Sequence, residues 1–285
     1  MISWLARNRL PAGFLAAAYS AVLIFGHGGA SRISDRITDS LTRVLFNRII
    51  TALLLAVLVL LVLCLVNNCR RFRANRCAIL FPAATALLAV AGFNTLMVTN
   101  IESIHFPLYA LLAVPVCALT RKFGAAVLWT TLLGALDEAY QYFWLYRNLK
   151  TVYFDFNDVV LNLIGAGMGV TVIYLWSGGR NPLADKGRRP STPGEPWLFL
   201  PAALGLLLFL AVMAGPVHLY PDAAASGQAL VLSRAPAPAD FWTRFPWGKT
   251  CHFLNPLEGL LLVQGLVLFY GLLDRNHGEA VSRDP

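Results

Sequence analysis

Apolar runs long enough to cross a bilayer recur along this chain, near residues 12–26, 49–66, 78–98, 104–120, 123–145, 158–176, 197–214 and 256–273. A helix of about 20 residues spans the hydrocarbon core. Inside lipid, backbone N–H and C=O groups must be satisfied within the protein, so such runs fold as helices. Composition agrees: 57% of the 285 residues are hydrophobic and only 13% are charged, against about 25% charged in soluble domains. The expected fold is all-α: a polytopic transmembrane helical bundle of about eight spans.

Formal net charge is +8. The basic residues fall between apolar runs, where the positive-inside rule accounts for them. No basic patch alternates with aromatics in an exposed domain, so nucleic acid is not an expected partner. Arg70, Arg71, Arg73 and Arg76 mark the loop 67–76 as cytoplasmic. Parity then places Arg7 and Arg9, Arg121 and Lys122, the linker 177–196 and the C-terminal tail on the same side, giving an N-in/C-in chain. No clean small-residue cleavage site follows the first run, so it is read as a retained span.

Residues 31–48 disagree with this pattern, because they carry Arg32, Arg36, Arg43 and Arg48 and yet fall outside. Ile33, Ile37, Leu41, Val44 and Leu45 recur at helical spacing. The segment is expected to be a helix lying in the membrane interface or a solvated connecting helix. Residues 215–255 form the longest non-apolar stretch. The aromatics of DFWTRFPW belong at headgroup level, or the stretch is a lid over an outer-face site. The five cysteines, Cys64, Cys69, Cys77, Cys117 and Cys251, show no CxxC or zinc spacing and read as reduced structural residues.

Three stretches break the apolar pattern at the outer ends of their helices. In NIESIHFPLYALLA, Glu102, His105 and Tyr109 share a helical face. In GALDEAYQYF, Gly134, Glu138 and Gln141 share a face, Asp137 lies beside them and Arg147 follows. In DFNDVVLNLIGAGMG, Asp158 and Asn162 continue into Gly165-x-x-x-Gly169, the small-residue spacing that lets membrane helices pack closely. Asp158 and Asn162 therefore face protein. Ionisable groups inside a membrane mark a functional site by default. A purely structural account would make Arg147 an ion-pair partner of Asp155 or Asp158, and Asn162 an interhelical hydrogen-bonding group.

A histidine beside a carboxylate suits a general base or nucleophile, and an arginine's fork suits phosphate. Zinc prefers histidine and cysteine. Magnesium or calcium prefers oxygen, so Asp137, Glu138 and Asp158 are the candidate ligands of any metal. A pocket of this chemistry at headgroup depth fits a reaction at a lipid's phosphate linkage, hydrolysis or headgroup transfer alike. The GAGMG run, residues 165–169, lies within a span and follows no strand, so it is not a phosphate loop.

ESIHFPLYALLA, GALDEAYQYF, the following Arg147 and DFNDVVLNLIGAGMG resemble the successive motifs of the VanZ-like family. That family shows Glu-x-x-His-Phe, Gly-x-x-Asp-Glu-x-x-Gln, an Arg, then Asp-x-x-x-Asn-x-x-Gly. The resemblance covers residues 92–176, leaving spans 1–91 and a C-terminal hairpin 197–285 outside it. The founding member is linked to resistance to a glycopeptide antibiotic. The family has been proposed to share a membrane fold with lipid headgroup enzymes, including those acting on polyprenyl-phosphate carriers. Carried over, the resemblance implies an active site of Glu102, His105, Asp137, Glu138, Gln141, Arg147, Asp158 and Asn162 in a bacterial cytoplasmic membrane.

The reading that follows is an enzyme with an outward-facing site acting on phosphate-linked lipid headgroups. Polyprenyl-phosphate-linked glycans of the cell envelope, exopolysaccharide precursors among them, come first and phospholipids second. His105 is base or nucleophile and Glu102 orients it. Asp137 and Glu138 bind metal or shuttle protons. Arg147 holds phosphate, and Gln141, Asp158 and Asn162 position groups. The rivals are a non-catalytic binder of lipid-linked precursor or glycopeptide antibiotic, and a transporter. For transport the inner halves offer only Thr120, Thr130 and Thr131.

Overall fold

A computed structural model describes residues 2–42, 44–53, 77–183, 196–221 and 230–274. The described chain is built from helices α1 (Ile2–Arg7), α2 (Arg9–Leu41), α3 (Val44–Leu53), α4 (Cys77–Thr95), α5 (His105–Thr120), α6 (Phe123–Tyr140), α7 (Phe156–Trp176), α8 (Leu200–Met213) and α9 (Pro256–Gly271). Five described helical stretches are long and apolar enough to cross a membrane: α2, α4, the Asn100–Thr120 stretch containing α5, α7, and Pro256–Asp274 containing α9. The fold is that of a helical integral membrane protein. Most of the span 49–66 and the loop 67–76 lie outside the described residues, as do most of the linker and the tail.

α7 is the hub. It packs against α4, α5, α6 and α9, most extensively against α5. Gly165 and Gly169 explain that contact. A Cβ on Gly165 would come 2.8 Å from the carbonyl oxygens of His105 and Phe106. One on Gly169 would meet the Ala110 carbonyl oxygen and stand 3.0 Å from Ala113 Cβ. The small-residue stripe thus lets the α7 and α5 backbones touch. Leu112, Ala113, Leu161, Leu163, Ala166 and Val170 belong to the core around this contact, all with no exposed surface.

The segment 31–48 is not one interfacial helix. Residues 31–41 continue α2, which at 33 residues is about 50 Å long, well beyond the ~30 Å hydrocarbon core. The helix stops at Thr42, whose φ of 63° ends the repeat, and α3 begins at Val44. The run from Ser31 to Leu41 contains no proline or glycine to break it. Its arginines and aspartates continue α2's polar end.

The described parts of the stretch 215–255, residues 215–221 and 230–255, fold back over the helix ends. They form a parallel pair, β1 (Val217–His218) with β2 (Leu230–Val231), and an antiparallel pair, β3 (Thr243–Arg244) with β4 (Thr250–Cys251). The Arg234 guanidinium donates to the carbonyls of Tyr142 (3.2 Å), Tyr146 (2.9 Å) and Arg147 (2.9 Å), capping the end of the α6 segment. Trp247 Nε1 donates to the Val98 carbonyl at 3.0 Å. These bonds make the stretch a cover over the polar end of the bundle, not only an aromatic belt.

Asn157 fastens this cover. Its Nδ2 donates to the carbonyls of Leu96 (2.7 Å) and His252 (2.8 Å), and its Oδ1 accepts from the Leu254 N–H at 2.8 Å. One buried amide thereby joins the end of α4, the cover and the start of α7. Each buried group left unsatisfied costs about 1–3 kcal/mol. Asn157→Leu is therefore expected to lower unfolding stability by roughly 2–4 kcal/mol and to expose the peptide bonds around Leu254 to proteolysis. An unchanged digestion pattern would contradict the latch.

Candidate functional site

The polar residues of α5, α6 and α7 meet beneath this cover. His105 is 7% exposed and is held at both ring nitrogens. Nδ1 lies 2.6 Å from Asn162 Oδ1 and Nε2 lies 3.5 Å from Asp158 Oδ2. An amide oxygen only accepts, so Nδ1 carries the hydrogen and Nε2 is the nitrogen turned to the carboxylate. The ring also stacks on Tyr109, centroid to centroid 6.1 Å at an interplanar angle of 11°.

On α6, Asp137 and Glu138 are each 3% exposed and face protein, not lipid. Asp137 Oδ2 accepts from the Tyr109 hydroxyl at 3.3 Å and lies 3.7 Å from His27 Nδ1. Glu138 Oε1 accepts from Gln141 Nε2 at 3.0 Å. Gln141 opens a π turn, Gln141–Leu145, that adds a residue to the helix end. Such turns concentrate at functional sites. Asp158 stands within electrostatic reach of Asp155, Glu138, Glu102 and Asp137. The pocket is acidic, with two imidazoles and two phenols among its carboxylates.

Two expected roles change. Glu102 does not orient His105. It sits in a 3-10 turn, Asn100–Ile104, and folds back to accept from the N–H groups of Val98 and Thr99, both at 2.8 Å. That is the reciprocal capping bond of a Thr-x-x-Glu sequence. Asp158 and Asn162 hold the histidine in its place. Arg147 is exposed at the rim, its guanidinium 5.9 Å from the Trp144 ring, and among the described residues it forms no ion pair with Asp155 or Asp158. The cation within reach of Glu102 is Lys249, from the turn between β3 and β4. Its Nζ donates to Asn100 Oδ1 at 2.8 Å and lies 4.3 Å from the Phe93 ring. Burial lowers the lysine's pKa, and Glu102 opposes that shift.

His27 has no counterpart in the expected set. It lies in GHGG on α2, where a Cβ on Gly28 would come 3.1 Å from Leu145 Cδ1. The bare glycine lets α2 approach the π turn, and this closeness carries His27 to Asp137. A lone histidine flanked by glycines within a span was the available signal.

Among the described residues, no three His, Cys, Asp or Glu side chains converge as a metal site. Asp137, Glu138 and Asp158 are engaged by Tyr109 and His27, by Gln141, and by His105 in turn. They do not fit a shared magnesium or calcium ion in this arrangement. Among the described residues Cys117 and Cys251 are free thiols. Burial raises the Cys251 thiol to about 11, with Glu102 and Asp155 adding to the shift, so it is no nucleophile at neutral pH.

Asp155 caps α7, accepting from the N–H groups of Asn157 (2.9 Å) and Asp158 (3.2 Å), with the Tyr153 hydroxyl as a further partner. Burial nevertheless raises its pKa, outweighing those bonds. The folded state then holds the proton more tightly than the unfolded chain, so stability falls as pH rises from the ordinary carboxylate range through the raised value. Asp155→Asn keeps a capping oxygen and is expected to flatten that decline in unfolding midpoints measured across pH. An equally steep decline in the variant would assign the effect elsewhere.

The fold and site define a helical membrane protein with a buried histidine–carboxylate pocket. Compared with known proteins, the chain matches no protein-family model, no curated protein and no solved structure.

Proposed function

We propose that the chain is a membrane enzyme acting on phosphate-linked lipid headgroups, by hydrolysis or by headgroup transfer. Polyprenyl-phosphate-linked glycans are the first candidates and phospholipids the second. The observation that carries this reading is His105: buried, fixed in one tautomer by Asn162, and facing Asp158 through Nε2. Positioning of this kind is what a general base or nucleophile needs. Lys249 from the cover and Arg147 at the rim are the cations available to a phosphate entering from that end. The motif resemblance to the VanZ-like family supports the same reading, with the site facing outward from a bacterial cytoplasmic membrane. Of the three threonines a transport path would use, Thr120 and Thr131 bond carbonyls of their own helices and only Thr130 keeps a buried hydroxyl without a partner among the described residues, which gives transport little support.

One observation favours a second reading. Carboxylates outnumber cations in the pocket, and this suits an amine-bearing ligand better than a bare phosphate. A non-catalytic binder of lipid-linked precursor or glycopeptide antibiotic would use it so. The two readings separate in one comparison by isothermal titration and headgroup release. The enzyme loses turnover in His105→Ala, whereas the binder keeps its affinity in that variant and shows no turnover in either form.

A further inference from the structure

Two atoms of the pocket are buried and have no hydrogen-bond partner among the described residues: Asp137 Oδ1 and Asn162 Nδ2. Their residues are 3% and 0% exposed. Turning either side chain to satisfy the orphan atom would surrender what the other end holds. Asn162 Oδ1 is engaged by His105, and Asp137 Oδ2 by Tyr109 and His27. Both orphans border one patch of α6. Asn162 Nδ2 lies 2.7 Å from where a Cβ on Gly134 would stand, and Tyr109 Cε1 lies 3.0 Å from that point. Asp137 is three residues further along α6, so the two Cβ positions are about 5–6 Å apart.

One atom is a donor and the other an acceptor. A phosphate ester's oxygens accept but do not donate, and an ammonium donates but does not accept. A hydroxyl does both. We propose that Asn162 and Asp137 form a subsite for a neutral hydroxyl, that of water or of an alcohol, with Asn162 and Tyr109 packed close on the bare Gly134 beside it. Binding there stands on the two orphan atoms alone. Its role rests on the headgroup-enzyme reading, in which this hydroxyl is the acceptor. Its oxygen forms the new bond to phosphorus, the phosphorus–oxygen bond to the departing group breaks, and its proton passes to Asp137 Oδ1, the acceptor it already faces, and from there to the oxygen that leaves. The subsite favours a hydroxyl as the second substrate over an ammonium or a thiolate, neither of which both donates and accepts.

The test is a water-resolving cryo-EM structure of the full chain in lipid nanodiscs, beside a headgroup-release assay on the same preparation. The expected result is density within hydrogen-bonding distance, about 2.6–3.2 Å, of both Asp137 Oδ1 and Asn162 Nδ2. Gly134→Ala should remove it, because the added carbon displaces Asn162 Nδ2. Should that variant not fold, Asn162→Leu removes the free donor without supplying a new acceptor, and should remove the density as well. With glycerol added, density that extends beyond one oxygen, together with transfer of the headgroup to glycerol, assigns an alcohol acceptor. Density unchanged by glycerol assigns water. No density in the wild type, or density retained in both variants, overturns the subsite even where headgroup turnover is seen. Density without turnover on any lipid phosphate leaves the subsite standing and removes the headgroup reading.

Discussion

His105→Ala is expected to abolish the proposed headgroup turnover while the chain remains inserted and folded. A positioned general base contributes about 10²–10⁴-fold in rate, and loss of a nucleophile costs at least as much. The ring sits at a crossing of α5 and α7 that the glycines hold together, so its removal does not undo the packing. It does strip Asn162 and Asp158 of their shared partner. His105→Gln restores one polar contact to Asn162 but not the basic nitrogen, and is expected to stay inactive. The checks are headgroup release by purified protein and, for folding, a monodisperse elution profile with an unchanged helical spectrum. Turnover within tenfold of the wild type would remove His105 from the chemistry.

The largest loss of stability is expected at the α5–α7 seam. Gly165→Val and Gly169→Val each drive branched carbons into backbone atoms of α5, which cannot rotate out of the way as a side-chain tip would. Overpacking costs about 1–3 kcal/mol where side chains can yield, and more where they cannot. Each variant is therefore expected to lose at least about 3 kcal/mol and to separate His105 from Asn162, so that stability and activity fall together. Gly13→Ala is the control, since nothing lies within 4 Å of its added carbon. Replacing a helical glycine with alanine there should gain about 0.5–1 kcal/mol. Detergent-solubilised unfolding midpoints measure all three. A Gly169→Val protein as stable as the wild type would mean that α5 and α7 do not meet at this stripe.

What the sequence made legible follows from how local each signal is. The bodies of α4, α5, α7 and α9 were readable because apolar length is a property of the segment itself. The α5–α7 approach was readable because Gly165 and Gly169 repeat at one helical interval. Asp137, Glu138, Asp158 and Asn162 were readable as pocket residues because a membrane gives a polar side chain few other places to go. Glu102 was misassigned because a continuous helix was drawn through a turn. Thr99-x-x-Glu102 carries the capping signature that would have placed it. The cover formed by the described parts of 215–255 depends on Asn157, Arg234 and Trp247 finding carbonyls 61 to 149 positions away in sequence. No pattern along the chain reports such pairings. His27 belongs to the same class, since its role exists only once α2 runs unbroken past its glycines and lies against α6.

Lys249 and Arg147 exchange prominence for the same reason. Arg147 follows its helix directly and attracts the phosphate role by proximity in sequence. Lys249 reaches the site from the far side of the cover, through Asn100. An acidic pocket served by so few cations also bears on substrate choice, because a pyrophosphate linkage would bring more negative charge than a single phosphodiester.

Headgroup release from a panel of polyprenyl-phosphate-linked glycans and phospholipids, using purified full chain with the wild type beside His105→Ala, decides between enzyme and binder. If the chain is an enzyme, the wild type turns over at least one phosphate-linked lipid and the variant turns over none. A wild type that is folded and binds members of the panel, yet turns over none of them while His105→Ala binds equally well, would contradict the enzyme reading. The pocket would then be a receptor for its ligand and not a catalytic centre.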